Sequence, residues 1–217
     1  MCYSGLVHDR RVEGETLTFG NQGALFMSNM TWWDHQTDSV WTQLTGEALA
    51  GPLQGVRLEL LPMSIVPWGT WLAQHPDTLV LEIRDGFNPS TPGVLPRDGF
   101  VIGIELGQDA GAYPFEVVSR ERVVNDFIGD SPLLVYADPE TRHIGTYLRI
   151  VNDTTLTFQW RDGRLVDVET VSTWEPTRGV AIEGPLKGEI LLGIPYVTSF
   201  LRNWLDFHPT SRVYPES

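Results

Sequence analysis

GEALAGPLQG, residues 46–55, and GVAIEGPLKG, residues 179–188, decide how this chain is to be read. The two segments stand 133 residues apart, and the same offset holds on both sides of them. Asp34, Thr37, Ser39 and Trp41 return as Asp167, Thr170, Ser172 and Trp174. Pro62 returns as Pro195, and Trp71, His75 and Pro76 return as Trp204, His208 and Pro209. From Asp34 to Pro76 no gap is needed. A register shared by so many small, aromatic and imino positions marks an internal repeat.

The local patterns within each unit read mainly as strand. Ser39, Trp41 and Gln43 alternate, which places them on one face of an extended segment. GPLQG and GPLKG have the chemistry of tight turns, with leucine-rich strands expected after them in VRLELLP and EILLGIP. A short helical patch follows, WGTWLAQHP or FLRNWLDFHP, with Trp and His four apart on one face and Pro as the stop. TLVLEI is expected to close the first unit as a strand. In the second unit VIGIEL and SPLLVYAD read as strands and PFEVVSRERVVNDFIG as an amphipathic helix. The expected fold is α+β and β-dominated: two tandem homologous β-rich repeats with short helices, related by a pseudo-two-fold axis. Residues 1–84 form the first repeat, 85–99 a Pro/Gly-rich linker and 100–217 the second repeat.

The units differ in length at their start. Aligning backward from LTF, at 17–19 and 156–158, pairs Arg10 with Arg149 and Met1 with Glu140. Residues 100–139 then have no partner. The first repeat is therefore expected to lack its opening helix and strands, leaving an uncovered edge through which the protein self-associates.

Composition narrows the function classes. The formal charge is −13, from 28 acidic against 15 basic residues, and such a surface repels phosphate backbones and anionic membranes. Nucleic acid is not an expected partner. No apolar run approaches the ~18 residues of a membrane helix. MCYSGLVHDRR has no secretory pattern, and the expected incompleteness of the start leaves the compartment unassigned. Cys2 is the only cysteine, so no internal disulfide can form. No dinucleotide, Walker, H-E-x-x-H or Ca²⁺-loop pattern occurs, and no cofactor is expected.

The motifs also resemble a known family. CYSGLVHDR at 2–10, LTFGNQG at 17–23, Asp34–Gln43, Gly46–Gly55 and Trp68–Pro76 are similar to those of the family catalogued as domain of unknown function 3179. AYPF, VVND and the closing FLRNWLDFHPTSRVY resemble its second half. Members usually carry C-P-x-C before the S-G segment; Cys2 matches the second cysteine, and the first would precede residue 1. Where members more often have F-G-x-S-G, this chain has Phe19-Gly20-Asn21-Gln22-Gly23. The resemblance brings no activity with it.

A duplicated chain sorts its own residues. Positions kept in both copies serve the shared fold, so Asp34 and Asp167 are expected to cap turns and His75 and His208 to end helices. Polar residues held by one copy alone are the site candidates. Cys2 and His8 pair with Thr141 and Tyr147, His35 with Val168, and Gln43 with Pro176. Six extra residues separate Phe19 from Asp34 relative to Phe158 and Asp167, and this surplus carries Asn29, Trp32 and Trp33. The candidate ligand-binding set is Cys2, His8, Asn29, Trp32, Trp33, His35, Gln43 and Trp68. Aromatic faces on an acidic protein suit a small molecule, a carbohydrate or a cation, and the expected function is a binding module with its site in the first repeat. Two alternatives stand beside it. One is a redox or metal-thiolate protein using Cys2, with His8 or His35 as weak further ligands. The other is a hydrolase with Ser28 or Ser39 as nucleophile and His8 or His35 as base.

Overall fold

The computed structural model describes residues 5–80 and 98–215. It contains two copies of one antiparallel four-stranded meander. In the first repeat the strands are Phe19–Phe26, Asn29–Asp34, Val40–Thr42 and Ala48–Ala50; in the second they are Phe158–Arg161, Arg164–Asp167, Thr173–Glu175 and Val180–Glu183. The pairings superpose residue on residue. Phe19 faces Asp34 as Phe158 faces Asp167, Trp41 faces Ala48 as Trp174 faces Ala181, and both copies carry a bulge beside the tryptophan. Among the described residues there are three helices, α1 (Trp68–Gln74), α2 (Phe115–Glu121) and α3 (Leu201–Phe207); α1 and α3 are counterparts.

The doubly kept residues form a buried polar knot, and its chemistry explains the motif spacing. Asp34 accepts from the Thr37 amide at 2.6 Å and from the Trp41 indole N–H at 2.8 Å; Asp167 accepts from Thr170 at 2.6 Å and from Trp174 at 2.9 Å. Thr37 meets Ser39, whose hydroxyl accepts from the Leu53 amide at 3.1 Å; Thr170, Ser172 and Leu186 do the same, with 3.0 Å for the last bond. Burial pushes the Asp34 carboxyl up, but donation from Trp41, Thr37 and Ser39 outweighs it and holds the group below its ordinary value. Gly51 is fixed by the same knot: its φ is 101°, and a Cβ there would lie 2.6 Å from the Ser39 Cα.

Each repeat also has a two-stranded hairpin, Arg11–Val12 with Glu15–Thr16 and Ile150–Val151 with Thr154–Thr155, and among the described residues the second repeat has two larger sheets that the first lacks. Val197–Phe200, Phe100–Leu106, Asp109–Pro114 and Arg212–Val213 lie side by side in that order, the last pair parallel. Ile144–Leu148, Ser131–Ala137 and Val123–Ile128 form a three-stranded antiparallel sheet. Between them lies the largest apolar core, with Ile102, Tyr113, Phe115, Leu133 and Val135 among its fully buried members.

In the first repeat the counterparts of these outer strands are 5–9, 64–67 and 79–80. None of them belongs to a strand ladder, and the single bridge His8–Leu60 answers Tyr147–Gly193. Consequently α1 buries no residue, Trp71 is 39% exposed where Trp204 is 1%, and Leu79 and Val80 stand in solvent. The self-association expected at this edge is a proposal about partners, not a contact of this single chain.

Several local expectations need correction. PFEVVSRERVVNDFIG is not one helix: α2 ends at Glu121, Arg122 takes φ 65°, and Val123–Ile128 is a strand paired with Ser131–Tyr136. The β-branched valines gain more from that ladder than from a further helical turn. VRLELLP and EILLGIP are tied only by isolated bridges rather than as regular strands. In TLVLEI, Thr78–Val80 forms no strand, and the remainder falls outside the described residues, as does the linker expected at 85–99 except Asp98 and Gly99.

Candidate functional site

The sequence candidates do not converge. Cys2 lies outside the described residues. His8, Trp32 and Gln43 come together: the His8 ring meets Trp32 edge to face at 5.7 Å, and His8 Nε2 lies 3.0 Å from the Gln43 carbonyl. A carbonyl only accepts, so Nε2 carries the proton and Nδ1 is the bare nitrogen. Nδ1 is buried, has no partner, and faces Gly46, where a Cβ would lie 2.8 Å away. Burial lowers the imidazole pKa. The second repeat shows what this histidine does. Tyr147 donates from its hydroxyl to Pro176 O at 2.8 Å, and a Cβ on Gly179 would strike its ring at 2.6 Å. Both rings span the same glycine to reach the same carbonyl. The asymmetry of residue type conceals one structural role.

Trp33 and His35 form a second pair, stacked at 4.4 Å on the other side of the strand from Trp32, because neighbouring residues in a strand face opposite ways. Asn29 sits at the tip of the surplus hairpin, paired with Phe26, and donates to the Met27 carbonyl at 2.9 Å. Trp68 is half exposed at the start of α1. Ser39 is consumed by the knot, and Ser28 is an exposed turn residue with φ 62°. Among the described residues no cluster of three or more His, Cys, Asp and Glu side chains could hold a metal ion. No described helix is long and apolar enough to cross a membrane.

The structure instead presents two concave sites between the repeats, and these are counterparts. The larger is a groove of about 790 Å³, walled by Val7, Pro62, Trp71, Ile190, Leu192 and Ile194 over a floor containing Gly145 and Gly193. The smaller, about 350 Å³, is lined by Leu44, Leu58, Leu60, Trp204 and His208, with Gly103 and Glu105. Repeat equivalence maps one lining onto the other: Trp71 onto Trp204, Pro62 onto Pro195, Gly193 onto Leu60, and Thr177 onto Leu44. Two differences make the first site larger. Gly145 and Gly193 stand where the other repeat has Leu6 and Leu60. The strand supplying Gly103 and Glu105 also has no first-repeat counterpart among the described residues.

The two sites are electrostatically unlike. Across the smaller cleft Arg57 donates to both Glu105 oxygens, at 2.7 and 2.6 Å, which holds that carboxyl below its ordinary range. Burial lowers the His208 imidazole beside it, with the Glu105 charge opposing. The ion pair ties one repeat to the other. In the larger groove Ile190 replaces Arg57. The Thr146 hydroxyl is spent on Ile194 O and the Tyr147 hydroxyl on Pro176 O, while Arg178 pairs with Glu175. What remains exposed to a ligand is mostly apolar surface, with Ser64 at its margin. Neither glycine looked like a site residue in the sequence; the signal lay in the register, where each faces a leucine.

A family model described as Protein of unknown function (DUF3179) matches the chain twice, over residues 1–91 and 87–217, one match on each repeat. No curated protein and no solved structure matches it.

Proposed function

The chain belongs to the family that this model describes, and from that premise we propose that it is a noncatalytic binding module whose ligand lies in the apolar groove between the repeats. The observation that carries the reading is the groove itself. Its volume of about 790 Å³ falls in the ~300–1,000 Å³ range of ligand pockets. Two leucine-to-glycine differences and the missing counterpart of the Phe100–Leu106 strand enlarge it relative to the smaller site. The Thr146 and Tyr147 hydroxyls are engaged elsewhere, so recognition would come mainly from apolar contact and shape. An apolar or amphipathic ligand suits that surface better than a carbohydrate, which needs several unengaged donors and acceptors. The aromatic candidates Trp32, Trp33 and Trp68 lie on separate faces and offer no common platform.

Titration with anilinonaphthalene sulfonate tests this. The dye is expected to bind saturably, and Gly193→Leu to weaken it at least tenfold. The Gly193 site admits a side chain, since a Cβ there meets only Pro62 at 3.5 Å. Far- and near-ultraviolet circular dichroism should not change. Dye binding unaffected by Gly193→Leu would remove the groove as the site.

A further inference from the structure

Three places that the second repeat covers with a single element stand uncovered in the first, and from this we infer that the open wall of the groove takes an antiparallel β-hairpin of a partner polypeptide. The inference rests on the groove being a binding surface, and it names the partner. In the second repeat the hairpin Phe100–Leu106 and Asp109–Pro114 does three jobs. Its first strand pairs with Val197–Phe200, matching Val197 to Gly103 and Phe200 to Phe100. Its Gly103 lies under Trp204, where a Cβ would come within 2.4 Å of the indole. Its second strand pairs in parallel with Arg212–Val213. The first-repeat counterparts are 64–67, Trp71 and Leu79–Val80. Leu79 is 95% exposed, Val80 70% and Trp71 39%, and 64–67 lies in no strand.

The backbone of 64–67 is compatible with such a ladder. In an extended strand N–H groups alternate sides. The Ile65 N–H points to the Tyr196 hydroxyl at 3.3 Å, so Pro67, which has no N–H, falls on that occupied side. Ser64 and Val66 are left to pair outward. The occupant is therefore a hairpin with alternating apolar residues in its first strand and glycine where it crosses the Trp71 indole. Among the described residues the hairpin of this kind is already engaged at Val197–Phe200, in this chain and in a second copy alike. A partner polypeptide carrying such a hairpin matches the open edge, added to it by strand pairing.

The test uses the full chain and a fluorescein-labelled peptide of residues 99–114, read by anisotropy. Saturable binding is expected, weakened at least tenfold by Gly103→Leu in the peptide and by Trp71→Ala in the protein. Bound peptide should slow amide exchange at Ser64, Val66 and Val80. If Trp71→Ala fails to fold, Val66→Pro, which removes an outward N–H, takes its place. No binding, equal binding of the Gly103→Leu peptide, or a free protein already dimeric with these amides protected would each overturn the inference. If the peptide fails while the dye still binds and is lost in Gly193→Leu, the hairpin falls and the groove stands; if neither binds, both fall.

Discussion

Trp71 and Trp204 occupy the same position of the same helix in two copies of one unit, and truncating each to alanine isolates the value of the covering hairpin. The two indoles are otherwise matched. Trp71 donates to the Thr78 hydroxyl at 2.9 Å and stacks on His75 at 4.1 Å; Trp204 donates to the Ser211 hydroxyl at 2.7 Å and stacks on His208 at 4.0 Å. Those contributions cancel in the comparison. What differs is exposure, 39% against 1%. On a side chain burying up to ~250 Å², that difference is about 95 Å², or about 2.4 kcal/mol at ~25 cal/mol/Å². The void left beneath Gly103 adds to it, since Trp→Ala in a packed core costs ~3–5 kcal/mol. Trp204→Ala should therefore lower the unfolding free energy by about 3–5 kcal/mol and Trp71→Ala by about 1–2 kcal/mol. Urea titration with both probes of secondary and tertiary structure measures it, read from the midpoint at unchanged slope. Equal losses would refute the reasoning, because they would mean that α1 is covered as completely as α3.

The polar knot predicts that Asp34→Ala, which leaves the Trp41 indole N–H buried and unpaired, costs about 2–3 kcal/mol in the same titration. Its carboxyl is held low, so its contribution is present above the ordinary aspartate pKa and disappears on acidification below it; Asp34→Asn should flatten that acid limb. Gly184→Ala should destabilise by more than Gly188→Ala: both have φ near 97°, but only at Gly184 would the new Cβ meet backbone, the Ser172 Cα at 2.7 Å. Burial lowers His143 to about 4, so the unfolded chain takes up a proton first as pH falls from about 6.5. Stability is full above that pH and should decline toward pH 4 by up to ~1.4 kcal/mol per unit, with His143→Gln reducing the slope in urea titrations at pH 7 and pH 5.

The repeat and its knot were legible because they rest on residue types with few substitutes. Only a short carboxylate reaches the turn amide and the indole at once, and only glycine fits φ 101° against Ser39. The candidate site was harder, for reasons visible in particular residues. His8 differs in type from its counterpart Tyr147, yet both rings end on the same carbonyl, so a difference in type is not a difference in role. Trp32 and Trp33 are adjacent in sequence, but period-two alternation sends adjacent strand residues to opposite faces. The groove leaves little trace in the sequence because it is made of what is missing: side chains at Gly145 and Gly193, and a strand over α1. The end of α2 was hidden in a valine-rich run whose pairing depends on Ser131–Tyr136 farther along the chain.

The packing of α3 has a consequence for how this architecture can be divided. Trp204 shares one apolar core with Leu44, Leu6 and Leu60 from the other half of the molecule, Met63 packs against the large core of the second half, and Phe26 at the tip of the long hairpin reaches Phe207. Each half thus finishes the interior of its neighbour. Cutting the chain at its middle would give two fragments with open interiors, not two small proteins. The heritable module here is the couple, and either half can diverge only as far as its sibling's interior tolerates.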